Sequence, residues 1–206
     1  VLLMQAGQDI TMAGSTLAAL GENGSMILSA GHNLSMDTDA LEAKKDMTEN
    51  SDNYIRTYRK TKTANTLTAG KDISLISGND MKARNTTVAS ENGQISVKAA
   101  NDVIVENGYN EATDDYGLKY KESGFLSHKT TAIKSHDESN TVTGSMISGD
   151  KVSIISGRNT TITASNVVGT NDVSITSGKD TTITSAEEVE QHDYEKRVKK
   201  SGLLGG

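Results

Sequence analysis

The 206-residue chain has no cysteine, so no disulfide staples it. That suits a reducing cytosol. It suits equally a chain that must cross membranes unfolded, where disulfides would jam. Proline and tryptophan are also absent, and there is one phenylalanine. Aromatics make up 3% of the residues and apolar residues 34%, too lean for the thick core of a globular domain. No apolar run reaches ten residues, which excludes a transmembrane helix and a signal peptide within this stretch. A net charge of −6 argues against nucleic acid as a partner. The chain opens mid-strand at Val1-Leu2-Leu3-Met4-Gln5 and closes on Gly-Gly. We therefore expect a piece of something longer, in which a missing signal says nothing about secretion.

What is present is repetition. Val152-Ser153-Ile154 returns as Val173-Ser174-Ile175, and Ser156-Gly157-Arg158-Asn159-Thr160-Thr161-Ile162-Thr163 returns as Ser177-Gly178-Lys179-Asp180-Thr181-Thr182-Ile183-Thr184, both offset by 21 residues. A fixed period near twenty, built of short alternating strands and Gly/Asn turns, is the signature of a solenoid. No unit can bury its apolar face alone, so each stacks on a copy of itself. Val and Ile alternate with Ser and Thr, which sends Val152, Ile154, Ile162, Val173, Ile175 and Ile183 inward. The same turn text recurs at constant phase, which predicts a parallel β-helix of about 21 residues per rung. A six-residue apolar period and a G-G-x-G-x-D run are both missing, against the two other β-helix types.

The turn Gly/Ala-x-Asp/Asn recurs as Gly7-Gln8-Asp9, Gly31-His32-Asn33, Gly70-Lys71-Asp72, Gly78-Asn79-Asp80, Ala100-Asn101-Asp102, Gly157-Arg158-Asn159 and Gly178-Lys179-Asp180. Gly is expected to supply positive φ there, and Asp or Asn to close the turn through its own side chain. Ile10 and Met12, Leu34 and Met36, Ile73 and Leu75, Val103 and Val105 should follow inward. Rungs come in pairs at about 1–36, 64–106 and 141–186, all in one β-helical segment spanning 1–206. Excursions of another character occupy 37–63, 107–140 and 187–206, giving a larger repeat of two rungs plus one excursion. The favoured reading of each is a two-stranded, β-hairpin-like arm, with Ser123-Gly124 supplying a reversal. Helix is the rival, because Ala40–Asn50 and Glu187–Lys200 carry good helix formers.

The excursions hold all six tyrosines and the phenylalanine. The candidate partner-contact residues are Tyr54, Tyr58, Tyr109, Tyr116, Tyr120, Lys121, Phe125, Tyr194 and Lys199. Tyrosine with basic residues on projecting segments suits recognition of protein or lipid headgroups. The same aromatics could instead pack each arm in place.

Catalytic chemistry finds little footing. Asp80 and Asp102 share a turn position in successive rungs, near the ~5 Å spacing of a retaining glycosidase pair. Five other turns use that position, so turn closure explains them better. Asp114-Asp115 reads as a solubilising pair. His32, His128, His136 and His192 lack convergent ligands for a metal site, and no serine sits in a nucleophile elbow. Thr86-Thr87, Thr160-Thr161 and Thr181-Thr182 should form outward hydroxyl ladders. No enzyme activity and no cofactor is expected.

The combination of Ser165-Asn166-Val167-Val168-Gly169 through Asp180-Thr181-Thr182-Ile183-Thr184 with the Tyr194–Leu203 tail resembles the haemagglutinin repeats of the filamentous haemagglutinin family. These are two-partner secreted exoproteins and include contact-dependent growth inhibition effectors. The resemblance covers almost the whole chain. It implies a right-handed parallel β-helix within a long filament at the outer surface of a Gram-negative bacterium, exported through an outer-membrane transporter. It further implies contact with a target-cell surface protein or outer membrane, as adhesin or as toxin carrier. A purely structural stalk is the alternative, and a carbohydrate-active β-helix a more remote one. Exposed end rungs should favour end-to-end self-association.

Overall fold

The computed structural model describes residues 1–202, and every regular element among them is a β-strand. Leu203, Leu204 and the terminal Gly205-Gly206 lie outside the described residues. The chain divides into two units.

The first unit comprises Val1–Ala40, Lys62–Tyr109 and Val142–Glu187. It is a parallel β-helix with three sides. The first side stacks β1 (Leu2–Ala6), β4 (Met26–Ala30), β9 (Ile73–Ser77), β12 (Gln94–Ala99) and the later halves of β16 (Met146–Ser156) and β18 (Asn166–Ser177). The second stacks β2 (Ile10–Ala13), β5 (Leu34–Asp37), β10 (Met81–Arg84), β13 (Val103–Glu106), β17 (Thr160–Thr163) and β19 (Thr181–Thr184). The third stacks β3 (Thr16–Ala19), β8 (Asn65–Ala69), β11 (Thr86–Ser90) and the opening halves of β16 and β18. All these pairings are parallel. β16 and β18 pass from third side to first as continuous strands, with a register shift between Gly149 and Lys151.

The core is the column of inward residues read from the alternation. On the first side Met4, Leu28, Leu75, Val97, Ile154 and Ile175 stack in register. Leu28, Leu75, Val97 and Ile154 are fully buried. Ile183, in the last turn of the coil, is 66% exposed, since no strand stacks beyond it among the described residues. A slender column needs only small aliphatics, which is how the lean composition folds.

Two details of the turns correct the expectations. The glycines joining first side to second are not in the left-handed region; from Gly31 onward their reason is close approach, while a Cβ on Gly7 would meet nothing. A Cβ on Gly78 would lie 2.1 Å from the carbonyl oxygen of Gly31, and one on Gly178 equally close to that of Gly157. The Asx side chains do not close their own turns but bond the next layer. Asp9 Oδ1 accepts from the Asn33 N–H (2.8 Å), Asn33 Oδ1 from Asp80 (3.3 Å), Asp80 Oδ1 from Asp102 (3.1 Å), Asp102 Oδ1 from Asn159 (3.0 Å) and Asn159 Oδ1 from Asp180 (3.4 Å). Gly70-Lys71-Asp72 is a different corner, third side to first, where Asp72 Oδ1 takes the Gln94 N–H (2.9 Å).

The threonine pairs also differ from expectation. Adjacent strand residues point to opposite faces, so one of each pair faces inward, although in the Thr181-Thr182 pair both remain exposed. Thr86 and Thr160 are fully buried, and Thr160 Oγ1 meets Ser156 Oγ at 2.9 Å and Ser177 Oγ at 2.8 Å.

The corner from second side to third is made in two alternating ways. A single left-handed residue closes it at Gly14 (φ 55°), Asn85 (φ 45°) and Ala164 (φ 42°). In the intervening turns, after β5, β13 and β19, the chain leaves the coil instead.

Those departures build the second unit, Leu41–Thr61, Asn110–Thr141 and the chain from Glu188 on. It is a five-stranded sheet in the order β20 (Val189–Gly202), β15 (Ser127–Thr143), β14 (Gly108–Gly124), β7 (Tyr54–Thr63), β6 (Asp39–Thr48). The excursions are therefore strands, as favoured, and no helix forms among the described residues. β6 and β7 are one hairpin, β14 and β15 another, and β20 the first strand of the third excursion. The pairings that join one excursion to the next, β7 with β14 and β15 with β20, are antiparallel. The reversal between β14 and β15 falls at Phe125-Leu126, with Leu126 at φ 65°, one step beyond Ser123-Gly124, which stay in the strand.

Candidate functional site

Strand alternation sorts the candidate residues onto the two faces of the second unit's sheet. Thr113 lies opposite Tyr58, Asp115 opposite Arg56 and Gly117 opposite Tyr54, and Asp115 meets His136. These belong to one face, with Lys121 of β14 and Lys199 of β20. Tyr116 lies opposite Ile55 on the other face, with Tyr120 and Tyr194. Phe125 caps the β14–β15 turn and is 95% exposed. Tyr109 belongs to the first unit. The nine candidates thus do not converge on one patch.

The first face is a charged lattice. Lys60 pairs with Glu111 (3.4 Å), Lys119 with Asp52 (2.8 Å) and His136 with Asp115 (2.5 Å). Its two tyrosines lie under cations, Arg56 over Tyr54 at 4.6 Å and Lys44 over Tyr58 at 5.2 Å. Gly117 makes room for this. A Cβ there would sit 2.5 Å from Cε1 of Tyr54, so the ring lies across the strand where a side chain would otherwise stand. Partial burial pushes the Tyr58 hydroxyl above its usual range, and Glu42 adds to the rise. Tyr54 and Tyr58 are half-buried and pack beneath these cations.

The second face carries a band of apolar side chains. Ile55, Tyr116, Tyr120, Tyr194 and Val198 are all more than one-third exposed. Met47, Ile55, Tyr116 and Leu118 line a shallow depression in it. Sequence reasoning chose the tyrosines but missed Ile55, Leu118, Ile133 and Val198; the signal was the period-two string Tyr116-x-Leu118-x-Tyr120. Along its border Arg59 holds Asp114 through two contacts (2.6 and 2.9 Å), which raises the guanidinium further above its ordinary value. Asp114 and Asp115, read as a solubilising pair, each hold a cationic or titratable partner on opposite faces.

Two histidine–carboxylate pairs clamp β15 to its neighbours. Asp115 of β14 holds His136 and raises its pKa; Asp137 of β15 holds His192 of β20 and does the same. His128 meets the Ser123 hydroxyl at 3.2 Å. Asp80 and Asp102 do adjoin, but Asp80 accepts from the backbone of Asp102, and Asp102 is bound by Arg158 and Asn159. Both carboxylates are committed to joining layers of the coil.

Comparison with known proteins is consistent with this geometry. The Hemagglutinin repeat family matches residues 46–202. "tRNA nuclease CdiA" of Escherichia coli (strain STEC_O31) is 31% identical over 123 residues, 58% of this chain and 4% of that protein. "tRNA nuclease CdiA-2" of Burkholderia pseudomallei (strain 1026b) is 27% identical over 207 aligned residues, 97% of this chain and 6% of that protein. The chain thus spans a few per cent of the length of the curated relatives it matches. No solved structure matches it significantly.

Proposed function

Because this chain belongs to the Hemagglutinin repeat family, we propose that it is a contact segment of a secreted exoprotein displayed at the outer surface of a Gram-negative bacterium. In this reading the coil is the carrier, and the five-stranded sheet meets a surface protein or the outer membrane of a target cell. The segment reaches the surface through an outer-membrane transporter of a two-partner system. The supporting observation is the exposed band of Tyr116, Tyr120, Tyr194, Ile55 and Val198 on one sheet face, set against a salt-linked opposite face. Exposed tyrosines beside aliphatics are the composition of protein contact surfaces. The nuclease activity in the relatives' names is assigned to no residue of this chain.

The purely structural stalk is the second reading, favoured by the Asx layering of the coil. Binding of the chain to intact Gram-negative cells separates the two. A Tyr116→Ser, Tyr120→Ser, Tyr194→Ser variant, each site being exposed, is expected to bind at least about tenfold more weakly. If the parent chain does not bind, the stalk reading stands. If the variant binds as well as the parent, the apolar band is not the contact.

A further inference from the structure

Two neighbouring turns of the five-stranded sheet are built from opposite chemistry. The β6–β7 turn is polar. Asn50 Oδ1 closes it by accepting from the N–H groups of Asp52 (2.9 Å) and Asn53 (3.0 Å). The β14–β15 turn is Phe125-Leu126. It holds the chain's one phenylalanine, 95% exposed, and a leucine 57% exposed at φ 65°. Gly or Asn suits that conformation, and a leucine there is strained. The demands of the turn therefore do not explain either residue. β14 and β15 lie inside the sheet, with β7 on one side and β20 on the other, so this turn is not at a margin. The sequence writes the arrangement twice: Lys121-Glu122-Ser123-Gly124 precedes Phe125-Leu126, and Lys199-Lys200-Ser201-Gly202 precedes Leu203-Leu204.

The turn also projects, and its collar is basic. The β6–β7 turn ends level with Lys119, whose N–H donates to Asn53 Oδ1 (2.7 Å). β14 runs on from there to Gly124, about 16 Å at the rise of a strand. Residues 119–128 are all exposed. Lys119, Lys121 and Lys129 flank the turn, and Glu122 is the one acid between them. Lys119 pairs with Asp52 and Lys129 with Glu122, both at 2.8 Å. Lys121 has no carboxylate partner among the described residues. β20 sets Lys200 directly opposite Lys129 and Lys199 opposite Thr130. Like charges facing across strands repel, so the fold gains nothing from this placement. The chain as a whole carries −6, so the cations gather here against its general charge.

We propose that the β14–β15 turn is a lipid anchor: Phe125 and Leu126 enter the headgroup region of an anionic bilayer, and Lys121, Lys129, Lys199 and Lys200 meet its phosphates. An apolar wedge within a basic collar is complementary to such a surface, and lysine stems are long enough to lie along the wedge with their heads among the phosphates. A free phosphate would satisfy the collar alone and leave both apolar side chains in water. The inference concerns the turn and not the apolar band on the sheet face, and it stands or falls apart from that band.

Co-sedimentation with vesicles tests it. The chain is expected to bind vesicles of equal parts phosphatidylcholine and phosphatidylglycerol, and phosphatidylcholine alone at least about tenfold more weakly. Phe125→Ser with Leu126→Asn removes the wedge and puts a residue suited to positive φ in the turn, so the fold is kept. Affinity for the mixed vesicles should fall about tenfold or more. Lys121→Gln with Lys199→Gln and Lys200→Gln should weaken it about 100-fold. The Tyr116→Ser, Tyr120→Ser, Tyr194→Ser variant should bind these vesicles as the parent does. The chain has no tryptophan, so a Phe125→Trp variant carries a single indole. Its emission should shift to the blue on mixed vesicles and stay unmoved by inorganic phosphate. A chain that ignores mixed vesicles overturns the proposal, and binding to cells would then still stand on the apolar band. Binding without a blue shift also overturns it, as does binding that survives loss of both apolar residues, since either is adsorption by charge alone. Vesicle binding lost in the tyrosine variant and kept in the turn variant would move the contact to the sheet face and overturn it too.

Discussion

Replacing Asp102 in two ways separates the two jobs its carboxylate performs. The side chain is 19% exposed. Oδ1 accepts from the Asn159 N–H at 3.0 Å and from Asn159 Nδ2 at 3.1 Å, while Arg158 approaches both oxygens, its Nη2 reaching Oδ2 at 2.5 Å. Asp102→Asn keeps an acceptor for the backbone of the next layer and loses the ion pair. The arginine is half exposed, so that loss costs about 0.5–1 kcal/mol. Asp102→Ala also strands the Asn159 donors in a half-buried corner, which adds about 1.5–3 kcal/mol. For a chain of this size 1 kcal/mol shifts Tm by about 2–4 °C. The expected order is then a drop of about 1–4 °C for Asn and roughly 5–15 °C for Ala, read by far-ultraviolet circular dichroism.

A pH series sharpens the comparison. The Arg158 bond, with the Asn159 N–H second among the favourable contacts, holds the Asp102 carboxyl below its ordinary 3.8. A depressed carboxyl pKa stabilises the fold above the unfolded value and loses that contribution as pH falls through the folded value. The gap between parent and Asp102→Asn should therefore be full at pH 6 and close below 3.8. If Asn proves as damaging as Ala, the ion pair and not the backbone bond joins these layers, and the layering argument fails.

Two more outcomes are expected. His136 and His192 are raised above their ordinary 6.5, first by hydrogen bonds to Asp115 and Asp137. A raised histidine stabilises below its unfolded pKa and loses that effect as pH climbs through the folded value, so the protection of β15–β20 amides, taken relative to the unfolded chain at the same pH, should be lower at pH 8 than at pH 6. In a His136→Asn, His192→Asn variant that difference should vanish; its persistence would refute the clamp. In the coil, Ile154→Asp places a carboxylate at a fully buried site, whereas Ile175→Asp places one in the partly buried end turn. The first should cost at least about 3 kcal/mol and the second markedly less, by urea denaturation. Equal costs would mean that the end turn is covered in solution.

The coil was legible because its rule is local. Period-two alternation at Ile73-x-Leu75 or Val103-x-Val105 states the inward face without reference to any other segment. The turn text gave the layers, yet it misled about mechanism. A glycine under a carbonyl of the previous layer and a glycine at positive φ look identical in sequence; only stacking distinguishes them. The corner that releases the excursions was hidden for a related reason: it is closed by Gly14, Asn85 and Ala164, three unlike residues sharing one backbone conformation. The helix formers of Ala40–Asn50 spoke for the wrong structure, because the partner of that hairpin lies in β14, more than fifty residues on. Pairing across such a distance overrides local propensity. Tyrosines four apart hold one face in strand as in helix, so their alignment was visible and their division between two faces was not.

The repeat of two turns to one excursion has a physical reading. Each full excursion contributes two strands to its sheet, and each two turns contribute two layers to the coil. Strands in a sheet and layers in a β-helix share one spacing, about 4.8 Å, since both are set by the backbone hydrogen bond. A lone two-stranded hairpin is marginal in water, so each excursion needs the next one paired beside it in the sheet. The alternation at one corner, a left-handed residue in one turn and a departure in the next, is how the sequence writes that ratio.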